Sequence, residues 1–460
     1  MLIVFVWGCT SIPQRPGFGD VEHRIDERTG LRVTWDEQTP ADGRVRETVR
    51  ALLDSALTVA VAEQVALLNN HRLRAVYAEL GVAQAALVQA GLLSNPVFDV
   101  VAQRGTDGGG DQLAAAVVLD FLDVFYIPLR RRLAASEFEA AKLAVTAAAM
   151  DLAFDTRIAF VSMQAEEQLL EMRGQILAST EASMTAAREL LDAGNVASLD
   201  VDNQQALLDQ ARLDVAEAEA AVVVSRERLN RLMGLWGDDV EWQAAHRLPE
   251  VPADLPPGDL EAQAVESSVD LALARQRIES AGRRLGITER TALIPELHVG
   301  PVISREEGST RIGATVELPL PLFDRGQAGS AKDRAVLHGL QEEYVALAVE
   351  VRSHLRSVRQ QVYTAGRMAR YYHEQILPVR RRITEQTLLQ YNAMQIGVFR
   401  LLMAKEEEID AGRRYIESLR NYWLTRARLE QLLRGRMPPG MADLELSTTI
   451  TSTTAGEGGH

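Results

Sequence analysis

The chain has 460 residues and a formal net charge of −15, and it is 47% hydrophobic but only 5% aromatic. That length allows two or three ordinary domains, and the Ala- and Leu-rich, aromatic-poor composition favours long helices with close backbone approach. The negative balance argues against nucleic-acid binding, which needs a basic face, and the single cysteine excludes a disulfide framework or a cysteine metal site within one chain.

Residues 1–9 read as the end of a lipoprotein signal peptide, with the apolar run Leu2–Trp7, then Gly8 and Cys9. This predicts a lipidated Cys9, although Trp7 departs from the usual motif and no basic stretch precedes the run. The alternative is a short buried N-terminus with an inert thiol. Residues 10–53 are rich in Pro, Gly, Asp and Arg, lack a helical period, and are expected to form an extended arm. Two short helices follow, the second ending at Ser94-Asn95-Pro96.

Strands are predicted at 96–104 and 113–122, the latter with Leu113, Ala115, Val117, Leu119 and Phe121 on one face, joined by the polar turn GTDGGGD. Proline-free helical sequence then runs from about Arg130 to Leu191, roughly 90 Å at 1.5 Å per residue. After the breaker DAGNVAS a second helix reaches Met233, with Val201, Leu208, Val215, Val222 and Leu229 seven apart, a coiled-coil spacing. Residues 236–259 read as a Pro-rich linker.

From 260 to 435 the pattern returns. A helix is followed by strands at 296–305 and 310–318. In the second of these, Ile312, Ala314, Val316 and Leu318 alternate with Arg311, Gly313, Thr315 and Glu317. Helix spans about 327–389 with a kink expected at Pro378, then the turn YNAMQIG, then a last helix to 433 carrying Leu402, Ile409, Ile416 and Trp423 at the same spacing. Residues 436–460 read as a disordered tail. Each repeat, 54–235 and 260–435, is therefore strand, strand, long helix, tight turn, long helix.

Strands of nine or ten residues have the length of tilted transmembrane strands, but four cannot close a barrel, so a membrane role requires several chains to share one. A small soluble sheet capping the helices is the alternative. No run of 18 apolar residues marks a transmembrane helix. The eight histidines are scattered and no metal-ligand spacing, phosphate-binding loop or nucleophile motif appears, so neither a catalytic step nor a cofactor is expected.

In this setting the chain resembles the TolC-like outer-membrane efflux family. The resemblance is carried by NNHRLRAVYAELGVAQAALVQAGLLSNP before the first strand, by VELPLPLFDRGQ entering the second long hairpin, and by the paired tips LLDAGNVASLDV and LLQYNAMQIGVFRLL. It covers about residues 55–435. It implies a mainly α fold with a transmembrane β-barrel contribution, in which long antiparallel helical hairpins form a trimeric α-barrel and each chain gives four strands to a shared 12-stranded barrel. The implied function is a passive outer-membrane exit duct, lipid-anchored and reaching into the periplasm. A periplasmic adaptor and an inner-membrane transporter would open it. The rival reading is a soluble periplasmic coiled-coil adaptor or structural protein.

By the family pattern the tips meet the adaptor and close the pore. The candidate residues are Asp192, Gly194, Asn195, Asp200 and Asn203 on the first tip, and Asn392, Met394, Gly397, Arg400 and Met403 on the second. Gly194, Asn195, Asn392 and Gly397 suit strained turns. At an offset of 200, Asp200 matches Arg400 and Asn203 matches Met403, so the second tip departs from the aspartates that relatives carry there. Asp200 is a candidate either for lumenal charge or for an ion pair with Arg400 that holds the gate shut.

Overall fold

The computed structural model describes residues 15–35, 41–104, 112–244, 247–252, 260–292, 294, 296–306 and 309–438. In chain order the helices are α1 (Phe18–Thr29), α2 (Ala41–Leu53), α3 (Val59–Asn69) and α4 (His71–Gln89), followed by strands β1 (Val97–Gln103) and β2 (Gln112–Asp120). The first long hairpin is α5 (Asp123–Asp192) with α6 (Ser198–Met233). The second repeat has α7 (Leu260–Ser267), α8 (Val269–Thr291), β3 (His298–Glu306), β4 (Ser309–Glu317), α9 (Gln327–Tyr371), α10 (Leu377–Asn392) and α11 (Val398–Leu433).

The four strands form one antiparallel sheet in the order β1-β2-β3-β4, so the two repeats join at β2–β3. Cross-strand register sorts the side chains by face. Val100, Ala115, Ile303 and Ile312 form one apolar row, and Leu119, Val299 and Val316 another on the same side. Gln103, Gln112, Glu306 and Ser309 form a polar row on the opposite side, as do Asp120, His298 and Glu317. Both faces and both edges are open in the single chain. No side chain of β1 is buried and those of β4 are almost all exposed. A sheet with one apolar face, a mixed face that also carries Val97, Val101, Val118 and Val302, and unpaired edges is incomplete in water.

The helical core is built around α5 as its spine. At 70 residues it is about 105 Å long at 1.5 Å per residue. Phe160 and Met163 pack with Val65, Leu229 and Met233, and Val145 and Ala149 pack with Val21, Ile25 and Tyr77. A third cluster joins α7, α9 and α11 around Val358, Val362 and Tyr422.

The same joint is built in both repeats. Helix α6 ends on Gly234, left-handed at φ 68°, and a β-carbon there would come within 2.7 Å of the Asn69 carbonyl oxygen. Asn69 donates to the carbonyls of Met233 and Gly234 at 3.1 and 2.8 Å, and Asn70 donates to that of Leu232 at 2.8 Å while its oxygen caps α4. The NN pair thus satisfies carbonyls that a helix end leaves without partners. In the second repeat α11 ends near Gly435 at φ 96°, where a β-carbon would overlap the Ser267 carbonyl. Ser267 donates to Leu433 O at 3.0 Å, and Ser268 caps α8.

Four expectations need correction. The arm 10–53 is not extended: α1 and α2 occupy much of its described part, and Phe18, Val21 and Ile25 of α1 supply a short apolar stripe that the flanking Pro and Gly obscured. The 236–259 segment is more than a linker, because Trp242 is buried in the core and donates to Asn230 at 2.8 Å. The first long helix begins at Asp123 and carries Pro128 inside it rather than starting at Arg130. The tail is ordered at its start: Arg436 donates to Asp151 at 2.6 Å and to Asp270, and Met437 is buried. The loop GTDGGGD, the tail beyond Pro438 and Cys9 lie outside the described residues.

Candidate functional site

The two tips at the far ends of the hairpins share one backbone design. In the first, the N–H groups of Ala193, Gly194 and Asn195 donate to Glu189, Leu191 and Leu190 carbonyls at 3.1, 2.8 and 2.8 Å. In the second, Ala393, Met394 and Gln395 donate to Leu389, Tyr391 and Gln390 at 3.0, 2.8 and 2.9 Å. The offset of 200 therefore holds bond by bond. Such a closure needs one left-handed residue after the helix.

That residue is Gly194 at φ 74° in the first tip and Met394 at φ 56° in the second. Asn195, Asn392 and Gly397 were also expected to suit strained turns. None of them has a positive φ, and Gly397 is extended at φ −79°. Met394 is the one non-glycine residue with positive φ among those described, and its side chain is 93% exposed. A β-carbon in this region costs about 1–2 kcal/mol, and no contact within the chain offsets it.

The helix starts after the turns differ as well. Asp200 accepts from the Ala197 N–H at 3.1 Å, satisfying a donor at the start of α6. Arg400 takes the matching place in α11 and cannot accept, and the first turn of that helix holds no acid. No ion pair joins Asp200 to Arg400 among the described residues. Within the single chain the Asp200 carboxylate serves its own helix. Asp192, Asn203, Asn392 and Met403 are exposed, Met403 at 60%.

Behind the tips the hairpins diverge further. On the first, Thr180, Ser183, Met184 and Ala187 of α5 are buried, Leu208 and Ala211 of α6 face them, and Arg173 pairs with Asp214. On the second, α10 buries no side chain, and its ties to α11 include the Arg380–Glu407 ion pair and the Thr384 hydroxyl donating to Ala404 O at 3.2 Å. Pro378 does more than kink the helix. It follows a single π turn, Tyr372–Ile376, in which the Leu377 N–H donates to the Tyr372 carbonyl five residues back. The sequence marked the interruption through proline, but nothing in the local pattern specified its form.

Among the described residues no three His, Cys, Asp or Glu side chains converge as metal ligands would, and no helix is long and apolar enough to cross a membrane.

Known proteins align with this architecture. Residues 63–235 match the family model for outer membrane efflux proteins. The cobalt-zinc-cadmium resistance protein CzcC of Cupriavidus metallidurans is 22% identical over 387 residues, spanning 82% of this chain and 90% of its own. The outer-membrane channel OprN superposes with a TM-score of 0.68 at 15% identity, covering 88% of this chain and 95% of that one. The open-state MtrE channel of Neisseria gonorrhoeae superposes at 0.68 and 16%, covering 85% and 90%. Taken with the duplicated strand and helix hairpins, these matches place an outer membrane efflux protein segment at residues 63–235 within a fold shared with solved outer-membrane channels.

Proposed function

We propose that three copies of this chain assemble into one conduit, each repeat contributing a strand hairpin to a shared 12-stranded barrel and a helical hairpin to a periplasmic tube. The observation that carries this is the four-stranded sheet, apolar on one face, mixed on the other with polar rows at both ends, and unpaired at both edges. In lipid every backbone polar group must be paired, so the free edges of β1 and β4 require neighbouring copies. The tips then form the periplasmic aperture and meet an adaptor through Asp192, Gly194, Asn195, Asp200 and Asn203 on one hairpin and Asn392, Met394, Gly397, Arg400 and Met403 on the other. Export energy comes from an inner-membrane transporter, and a lipid on Cys9 adds an anchor to the outer membrane. By analogy with CzcC, a transition-metal cation is the first cargo to try, by comparing zinc, cobalt and cadmium tolerance with and without the gene.

The experiment is mass determination in mild detergent. A particle near three times 50.6 kDa is expected, and a strictly monomeric one overturns the assembly. Release from membranes by carbonate would instead favour the soluble adaptor reading.

A further inference from the structure

We propose that neighbouring copies meet along an electrostatic seam, in which the acidic edge of α6 in one copy lies against the basic edge formed by α9 and α10 of the next. Within the chain α6 packs on α5, α5 on α11, and α11 on α9 and α10. The helical layer thus ends in α6 from the first repeat and in α9 with α10 from the second. The sheet is bounded the same way, by β1 and β4. A head-to-tail ring of copies brings unlike edges together in both layers. The seam rests on the proposed assembly and adds which faces meet and by what chemistry.

The two edges carry opposite charge. Residues 198–224 of α6 hold six carboxylates against one base, Arg212. Residues 351–392 hold eight arginines against two acids, Glu374 and Glu385. Much of this charge has no counter-ion in its own copy. Asp202, Glu217 and Glu219 on α6 are exposed and make no ion pair among the described residues, and the same holds for Arg352, Arg359, Arg381 and Arg382 on the other edge. Small and apolar side chains run between the charges at coiled-coil spacing. Leu199, Ala206, Leu213 and Ala220 fall seven apart, all exposed, on the side of α6 opposite the buried Leu208 and Ala211. On α10, Arg382 and Leu389 are also seven apart and exposed, away from Arg380 and Thr384, which meet α11. The edges match in height as well. Glu166 pairs with Arg420 and Met172 lies against Gly412, so the two hairpins run level to about a turn, counted from Gly194 and Met394. On that count Asp209 stands near Arg382, and Glu217 and Glu219 near Arg370 and Arg367. Like edges repel, so the charges that join copies head to tail also oppose pairing of α6 with α6.

The test is a disulfide between copies of the full chain in mild detergent. Asp209→Cys and Arg382→Cys in one chain are expected to give covalent bands of two and three chains on oxidation. The two positions sit on opposite edges of a copy, so the bond forms only between copies. Each single variant, and the wild type with Cys9 alone, is expected to stay a single chain. Charge reversal tests the attraction itself. Asp202→Lys with Asp209→Lys is expected to weaken assembly by about tenfold or more at low salt, as is Arg381→Glu with Arg382→Glu. All four changes together are expected to recover most of the loss, which a folding defect would not allow. A particle of trimer mass in which the cysteine pair does not link overturns the seam and leaves the trimer standing. So do reversed charges that leave assembly unchanged. A covalent dimer of the Asp209→Cys variant alone overturns it too, because like edges would then meet. A strictly monomeric wild type overturns the trimer itself, and the seam with it.

Discussion

At Gly234 and again at Gly435 a return helix closes on a corner between two short helices, yet the hairpins that leave these joints are built differently. The first is one rod, with buried small residues along its length, a glycine at its left-handed turn residue and a capped second helix. The second is interrupted by a π turn, holds no buried side chain on α10, carries a methionine at the strained turn position and starts α11 without a carboxylate cap. The two repeats thus share the joint and differ in the distal part. The joint has one workable geometry, because helix-end carbonyls buried against another backbone must find donors. The tips are exposed and face no such constraint within the chain.

If the joint is the fixed part, damage there should cost most. Gly435→Ala would place a β-carbon in the left-handed region and drive it into the Ser267 carbonyl. A cost of about 4 kcal/mol is expected from these two effects together, with Gly234→Ala somewhat milder, measured by denaturant unfolding. Equal and small effects at both glycines would mean that the joint tolerates rearrangement and the comparison fails.

Next in size is the clamp that ties the second joint to α5. Arg436 bridges Asp151 and Asp270, whose carboxyls are pushed up by burial while the guanidinium pulls the other way. Arg436→Ala leaves two part-buried carboxylates without a counter-charge, at about 3 kcal/mol near neutral pH. The sign follows from the raised pKa. A carboxyl that holds its proton more tightly when folded gives full stability below its unfolded pKa and loses it as pH rises through the folded pKa. The variant should therefore lose most above that range and recover toward acid. A deficit that is constant with pH would show that Arg436 acts through packing alone.

Much of this was legible in the residues and some was not. The period-2 strands and the seven-residue seams stand out because each depends on near neighbours, and the offset of 200 pairs Gly194 with Met394 directly. The clamp was not legible, because Arg436 meets Asp151 across 285 positions and follows what reads as the start of a polar tail. Helices α1 and α2 were hidden by Pro and Gly around short stripes whose burial depends on residues far along the chain, Tyr77 and Val145 for α1 and Phe160 and Trp242 for α2. Pro378 announced an interruption, but proline alone does not decide between a kink and a wide turn.

The smaller effects lie at the tips, where the comparison predicts a gain in stability. Met394→Gly removes a left-handed β-carbon from a side chain that touches little, so the protein should become more stable by about 1 kcal/mol, and Gly194→Met should lose a similar amount. Opposite signs at equivalent positions are the signature of one backbone with two occupants. Two changes of the same sign would mean that Met394 already makes contacts in the assembled protein.

The smallest expected change is at the start of α11. Arg400 stands where Asp200 accepts from the Ala197 N–H, and the equivalent donor in the second tip is the N–H of Gly397. Arg400→Asp would place a carboxylate three residues into the helix, able to reach back to that N–H and to oppose the positive end of the helix dipole. It also removes a cation from the helix start, where positive charge is unfavourable. A gain of about 0.5–1 kcal/mol is expected, read most directly as slower amide exchange in residues 397–401. If exchange there does not slow, the missing carboxylate cap is not what limits this helix start.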